Sequence, residues 1–149
     1  MVVIVYAALD PVGNVSLSIQ VVILFLLILG LPLIRRGENA KENIIVHGYL
    51  TLAAVLLNTV LIFIVMLPSF STGLGELGSL SFLASLTLWS HVLLGVVAEV
   101  LGIILVVQWL SRPPSRMSCF KTKAWMWPTF VIWAVAVVTG ALIHILGLL

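Results

Sequence analysis

The sequence predicts an all-α integral membrane four-helix bundle, on three observations. Hydrophobic residues fill 62% and charged residues 8% of the 149 positions, whereas soluble domains are about one quarter charged. Mean hydropathy is +1.31. Four apolar runs, each long enough to cross a hydrocarbon layer of about 30 Å, are separated by short connections. The size suits one transmembrane domain over residues 1–149, with no soluble domain appended.

The first helix is predicted over about 15–34. Its polar groups, Ser16, Ser18 and Gln20, sit near its start, so it reads as a lipid-facing support. Pro32 and the pair Arg35-Arg36 mark its exit. The second helix is predicted over about 44–67, with Glu42 and Asn43 able to cap it and Pro68-Ser69 ending it. The segment from Phe70 to Leu80, rich in Gly and Ser, reads as a hairpin loop. The third helix, about 81–110, is longer than a perpendicular crossing needs and is therefore tilted or protruding. Arg112-Pro113-Pro114 ends it, because proline cannot continue the donor ladder. The fourth helix is predicted over about 123–148. Trp125 and Trp127 beside Lys121 and Lys123 look like an interfacial aromatic belt, with Trp109 at the matching depth on the third helix.

Charge placement sets the orientation. All seven basic residues (Arg35, Arg36, Lys41, Arg112, Arg116, Lys121 and Lys123) lie in two connections. The positive-inside rule makes both cytoplasmic, and both N and C termini extracytoplasmic. A net charge of +2 distributed this way speaks for a membrane lipid surface and against nucleic acid as a partner. The lone Cys119 has no second cysteine for a disulfide or a paired metal motif. Residues 1–8 are apolar but lack a basic lead, so they read as an outer-surface segment and not a cleaved signal.

The informative residues are the polar ones inside the runs. His91 lies roughly 28 Å above the inner boundary, His144 roughly 31 Å and Met66 roughly 33 Å, at 1.5 Å per helical residue. They share a layer near the outer face. Gly95 follows His91 by four residues and Gly140 precedes His144 by four, so each glycine lies one turn inward on its histidine's face. That arrangement would let a flat macrocycle stand between the two helices, ligated by both imidazoles and resting on bare backbone. Bundle cores house such cofactors and imidazole is a common haem ligand. Thr139, Ser90 or a backbone carbonyl would orient the second ring nitrogens. The competing reading is structural: glycines let helices approach, and a histidine can serve as an interhelical hydrogen bond. For Met66 the plain alternative is packing.

Glu99 sits deeper, roughly 16 Å from the inner boundary. It pairs with Asn58, lines a proton or quinol path, or forms a satisfied interhelical bond. His47, one turn into the second helix near Lys41, is either an interfacial histidine or part of an inner cofactor or metal site with Met126, Cys119 or Lys121 as neighbours. No phosphate loop, zinc-protease motif or nucleophile elbow is present, and no catalytic residue is assigned.

His47, His91 and the segment from Trp133 through Thr139-Gly140 to His144 also carry a resemblance. The chain resembles a small family of prokaryotic four-helix membrane proteins, some linked to maturation of cytochrome oxidases. That family has a histidine opening the second helix, one inside the third and a Trp…Thr-Gly pattern in the fourth. The likeness runs from about His47 to the carboxyl end. In two places the chain departs from the pattern: Cys119, Lys121 and Lys123 stand where the family has a histidine in the loop before the last helix, and His144 stands where it tends to have a tyrosine. The first departure removes the natural partner of His47, and the second creates the His91–His144 pair. In architecture the chain is also similar to ascorbate-type and respiratory b cytochromes.

Two functions follow as expectations. One is a b-type haem electron-transfer protein or respiratory-complex subunit, with His91 and His144 as axial ligands and Gly95 and Gly140 beneath the haem. The other is a non-catalytic accessory subunit or assembly factor of a terminal oxidase or membrane copper oxygenase, holding copper through Met66, His91 and His144. A proton or quinol site at Glu99 and Asn58 would be added to the electron carrier. In either case the chain is expected in a prokaryotic cell membrane, within a larger respiratory or oxidase complex or a homo-oligomer.

Overall fold

A computed structural model describes residues 11–34, 40–73, 81–111 and 116–146. In chain order the elements are α1 (Pro11–Gly30), a 3-10 turn (Leu31–Ile34), α2 (Ala40–Leu61), a π-helical turn (Ile62–Met66), α3 (Leu67–Gly73), α4 (Phe82–Leu110) and α5 (Arg116–Leu146). The described residues are thus all-helical. Four segments are long and apolar enough to cross a membrane: Pro11–Leu33, Glu42–Ser71, Phe82–Leu110 and Ala124–Ile145. Side chains such as Phe25, Ile64, Leu93 and Val138 face outward. A helix in water would carry polar residues there.

The helix ends show how local chemistry sets the boundaries. Ser81 caps α4, its hydroxyl accepting from the Ala84 N–H at 3.3 Å, a bond that satisfies one of the free donors of the first turn. The first helix begins at Pro11 rather than residue 15, and it tightens into the 3-10 turn around Pro32. The fourth starts at Arg116, seven residues before the expected 123. The second span departs most from expectation: it does not stop at Pro68. Proline has no N–H to give and its ring crowds the carbonyl four residues back. The chain answers with a wider turn, the Leu67 N–H reaching the Ile62 carbonyl five residues back, and helix resumes to Gly73.

The spans form a ring in which α1 packs on α2 and α5, and α4 packs on α2 and α5; α4–α5 is the tightest pair. Neighbours are antiparallel, since Gly30 meets His47 at the end where α1 finishes and Asn14 meets His144 at the end where it starts. These ends are called lower and upper below. The core joins Ile23 of α1, Ala54 and Val55 of α2, Ala98 and Val106 of α4, and Trp133 and Val137 of α5. Burial of Ile23 and Gln20 shows that α1 is a packed member of the bundle, where the sequence reading made it a lipid-facing support. Trp109, expected in an interfacial belt, packs its indole on Gly48 and edge-on to Tyr49. Trp125 and Trp127 are exposed.

Trp133 lies at the centre because Gly102 lets it approach. A Cβ at Gly102 would meet the indole at 2.9 Å and Val55 at 3.1 Å. At Gly95 an added Cβ would meet nothing within 4 Å. Gly102→Ala therefore overpacks the core and lowers stability by about 1–3 kcal/mol. Gly95→Ala is neutral or stabilising by up to about 1 kcal/mol, the gain in helix propensity. Unfolding of the detergent-solubilised variants by titration with a denaturing detergent checks both.

Candidate functional site

A cleft of about 520 Å³ opens in the upper half of the bundle, and His91, His144 and Met66 all line it. The three residues placed in one layer by counting therefore share one space. His91 is fixed from α5: its Nδ1 lies 2.8 Å from the Ala136 carbonyl. A carbonyl only accepts, so Nδ1 carries a proton, and in the neutral ring Nε2 keeps its lone pair. Nε2 has no partner among the described residues. The carbonyl is braced by Thr139, whose Oγ1 is 2.9 Å from it. Ser90, the other group expected to orient the ring, instead bonds the Leu86 carbonyl.

His144 is held from α1. Its Nε2 donates to Asn14 Oδ1 at 3.1 Å, and in the neutral ring Nδ1 then keeps its lone pair. Met66 comes from the π turn. Eight residues of regular helix would turn Met66 about 80° away from the direction of Asn58. The extra residue in the π turn sets it back by about one residue's rotation, which brings both onto the cleft.

The glycines are not used as the spacing suggested. Gly140 seats the ring of His91, and a Cβ there would meet that imidazole at 2.7 Å. Only Gly95 presents open backbone to the cleft. The slot expected for a macrocycle between the third and fourth predicted helices is thus filled by His91 itself, within the tightest helix pair of the bundle. The free space lies to the side, among α1, the second span, α4 and α5. Among the described residues no three His, Cys, Asp or Glu side chains converge as a metal cluster. The lining of the cleft includes two imidazoles and a thioether, beside the hydroxyls of Ser16 and Ser69 and the amides of Gln20 and Asn58.

Beneath this layer runs a buried polar chain. Gln20 Nε2 donates to Asn58 Oδ1 at 3.0 Å, and Asn58 Nδ2 donates to Glu99 Oε2 at 2.8 Å. Gln20, Asn58 and Glu99 are 8%, 4% and 7% exposed. Glu99 Oε1 contacts the Thr59 hydroxyl, which also reaches the Val55 carbonyl at 2.9 Å. A hydroxyl has one hydrogen and serves one of these acceptors at a time. When it serves Val55, the contact to Glu99 is a hydrogen bond only if the carboxyl supplies the proton. Glu99 and Asn58 are paired as one sequence reading had it. Gln20 and Thr59 are additions: Gln20 was placed on a support helix, and Thr59 stands beside Asn58 without a motif. A lone amide within an apolar run was the available signal, since such groups face a partner inside the bundle.

His47 lies at the lower end, apart from the cleft. Its Nδ1 is 3.0 Å from the Gly30 carbonyl, so the imidazole caps the end of α1, as basic side chains do at helix C-termini. Of the neighbours considered for it, Met126 is half-buried on α5, and the side chains of Cys119 and Lys121 lie outside the described residues.

Fold and site together define a class: an all-helical bundle of four membrane-length spans with a histidine-lined cleft at one end and a buried carboxyl chain at its base. Comparison with protein-family models, curated proteins and solved structures gives no match for the chain.

The buried chain predicts an asymmetry between two variants. Glu99→Gln keeps a group that bonds Asn58 and Thr59 and changes stability by less than about 1 kcal/mol. Glu99→Leu strands the Asn58 amide and costs about 1–3 kcal/mol. Detergent unfolding titrations of the two variants, run in parallel, measure the difference.

Proposed function

We propose that the protein is a multi-pass membrane protein that binds copper(I) in its upper cleft. In this reading it is a non-catalytic accessory subunit or assembly factor of a larger respiratory or oxidase complex in a prokaryotic cell membrane. The apolar exterior supports insertion in lipid, where only internally bonded helices and closed barrels can span. The basic connections at the lower end support a cytoplasmic lower face and termini on the opposite side.

One observation carries the metal reading. Each imidazole has one ring nitrogen tied to a protein acceptor, His91 to Ala136 and His144 to Asn14, while the other nitrogen is free and both residues line one cleft. Holding the second nitrogen in this way fixes the tautomer and orientation of a metal-ligating histidine. Imidazole with a thioether is a donor set that suits copper(I). His91 Nε2, His144 Nδ1 and Met66 Sδ would hold the ion. Haem ligation by the same two nitrogens loses the slot on Gly140 on which that reading rested. The larger complex is supported by the resemblance drawn from His47, His91 and the Trp133–His144 segment, and by the short connections between spans.

Purified protein in detergent, titrated against a chromophoric copper(I) chelator, is expected to withdraw one copper per chain and to show no haem absorption bands. His91→Ala and His144→Ala each weaken binding by about tenfold or more, the scale seen when a metal site is disturbed. Met66→Leu weakens it less, and Pro68→Ala matches Met66→Leu because both remove the thioether from the cleft. A wild-type chain that leaves all copper with the chelator, or a His91→Ala/His144→Ala double variant that binds like wild type, overturns the reading.

A further inference from the structure

The floor of the cleft holds a second recognition element that the metal reading does not use. Gln20 is 8% exposed. Its Nε2 is spent on Asn58, while its Oε1 has no partner, and Gln20 has no further interaction among the described residues. That oxygen is nevertheless not fully enclosed, since among the described residues no fully enclosed side-chain N or O atom lacks a partner. It is therefore open, in a residue that lines the cleft. An amide oxygen can only accept a hydrogen bond, and an acceptor stranded in apolar surroundings costs about 1–3 kcal/mol unless a donor reaches it.

We propose that the deep end of the cleft is a binding site for a neutral, mainly apolar molecule bearing a hydroxyl group, of the phenol or quinol class, with its O–H donated to Gln20 Oε1. The rest of the cleft suits such a molecule. Its walls are largely apolar, with Leu88, Val92, Trp133 and Ile143 among them, and its volume of about 520 Å³ falls within the range of small-molecule sites. Gly95 leaves bare backbone in the wall, with nothing within 4 Å of where its Cβ would stand, a surface against which a flat ring can lie. A charged head is disfavoured, because the one carboxyl nearby, Glu99, is already engaged by Asn58 and Thr59. Gln20 lies six residues below Asn14 on α1, about 9 Å along the helix. The hydroxyl site is thus separate from the His91–His144 layer, and the inference stands whether or not copper binds there.

The test is a titration of the full chain in detergent with 4-butylphenol, with its methyl ether and with a decyl-tailed benzoquinol, followed in wild type by the side-chain amide NMR signal of Gln20 and, in wild type and variant alike, by the indole N–H signal of Trp133, which lines the same cleft. The chain has two glutamines, Gln20 and Gln108, so Gln20→Leu assigns the signal. The phenol is expected to shift the Gln20 amide saturably, and the ether to bind about tenfold more weakly for want of the donor. Gln20→Leu should lose the preference for phenol over ether while remaining folded, as judged by unchanged helix content and monodisperse elution in detergent. Tighter binding of the quinol than of the phenol identifies a membrane quinol as the source, whereas equal binding identifies a small phenol or alcohol. Equal binding of phenol and ether to wild type, a preference that survives in Gln20→Leu, or no saturable shift with any probe overturns the proposal.

Discussion

The Asn58–Glu99 bond is the constraint on which the rest of the bundle depends. A carboxyl group placed among Leu, Val and Ala side chains has to be solvated by the protein itself. Here it draws on two residues of α2, and one of those draws on Gln20 of α1. Apolar helices in lipid have little to choose between one rotation and another, because neighbouring helix and hydrocarbon are about equally apolar. Directional bonds between Gln20, Asn58 and Glu99 remove that freedom and set three spans in register.

The fourth span is positioned by shape. His91 lies on Gly140 and Trp133 on Gly102, so that rings from each of the two helices enter notches in the other. The imidazole adds direction to the fit through its bond to the Ala136 carbonyl. One contact thus serves two ends: it locks α4 to α5, and it fixes the ring of a histidine that lines the cleft. The same economy appears at the other histidine, where a bond to Asn14 both ties α5 to α1 and fixes the ring.

The four spans were legible because a run of some twenty apolar residues has few other fates, and that Met66, His91 and His144 line one cleft was approachable because helical rise converts sequence position into depth. Rotation was not. When a helix is apolar on every side, no stripe marks its buried face, and so Gln20 was read as a detail of a support helix instead of a core residue. The glycine pairing failed for a related reason. Spacing put Gly95 and Gly140 in equivalent places beside their histidines, but only the packed structure shows that one is covered by His91 and the other is open. At Pro68 the rule that proline ends a helix gave way to a wider turn, and that turn decides where Met66 points.

Trp133 contributes to the wall of the cleft and, on its Gly102 seat, to the packed core beneath it with Val55 and Val106. The bundle is in this sense a cup and not a conduit. Whatever the upper cleft receives meets, at its lower end, a base of close-packed side chains. That base sets this chain apart from bundles whose polar interior is continuous from one end to the other.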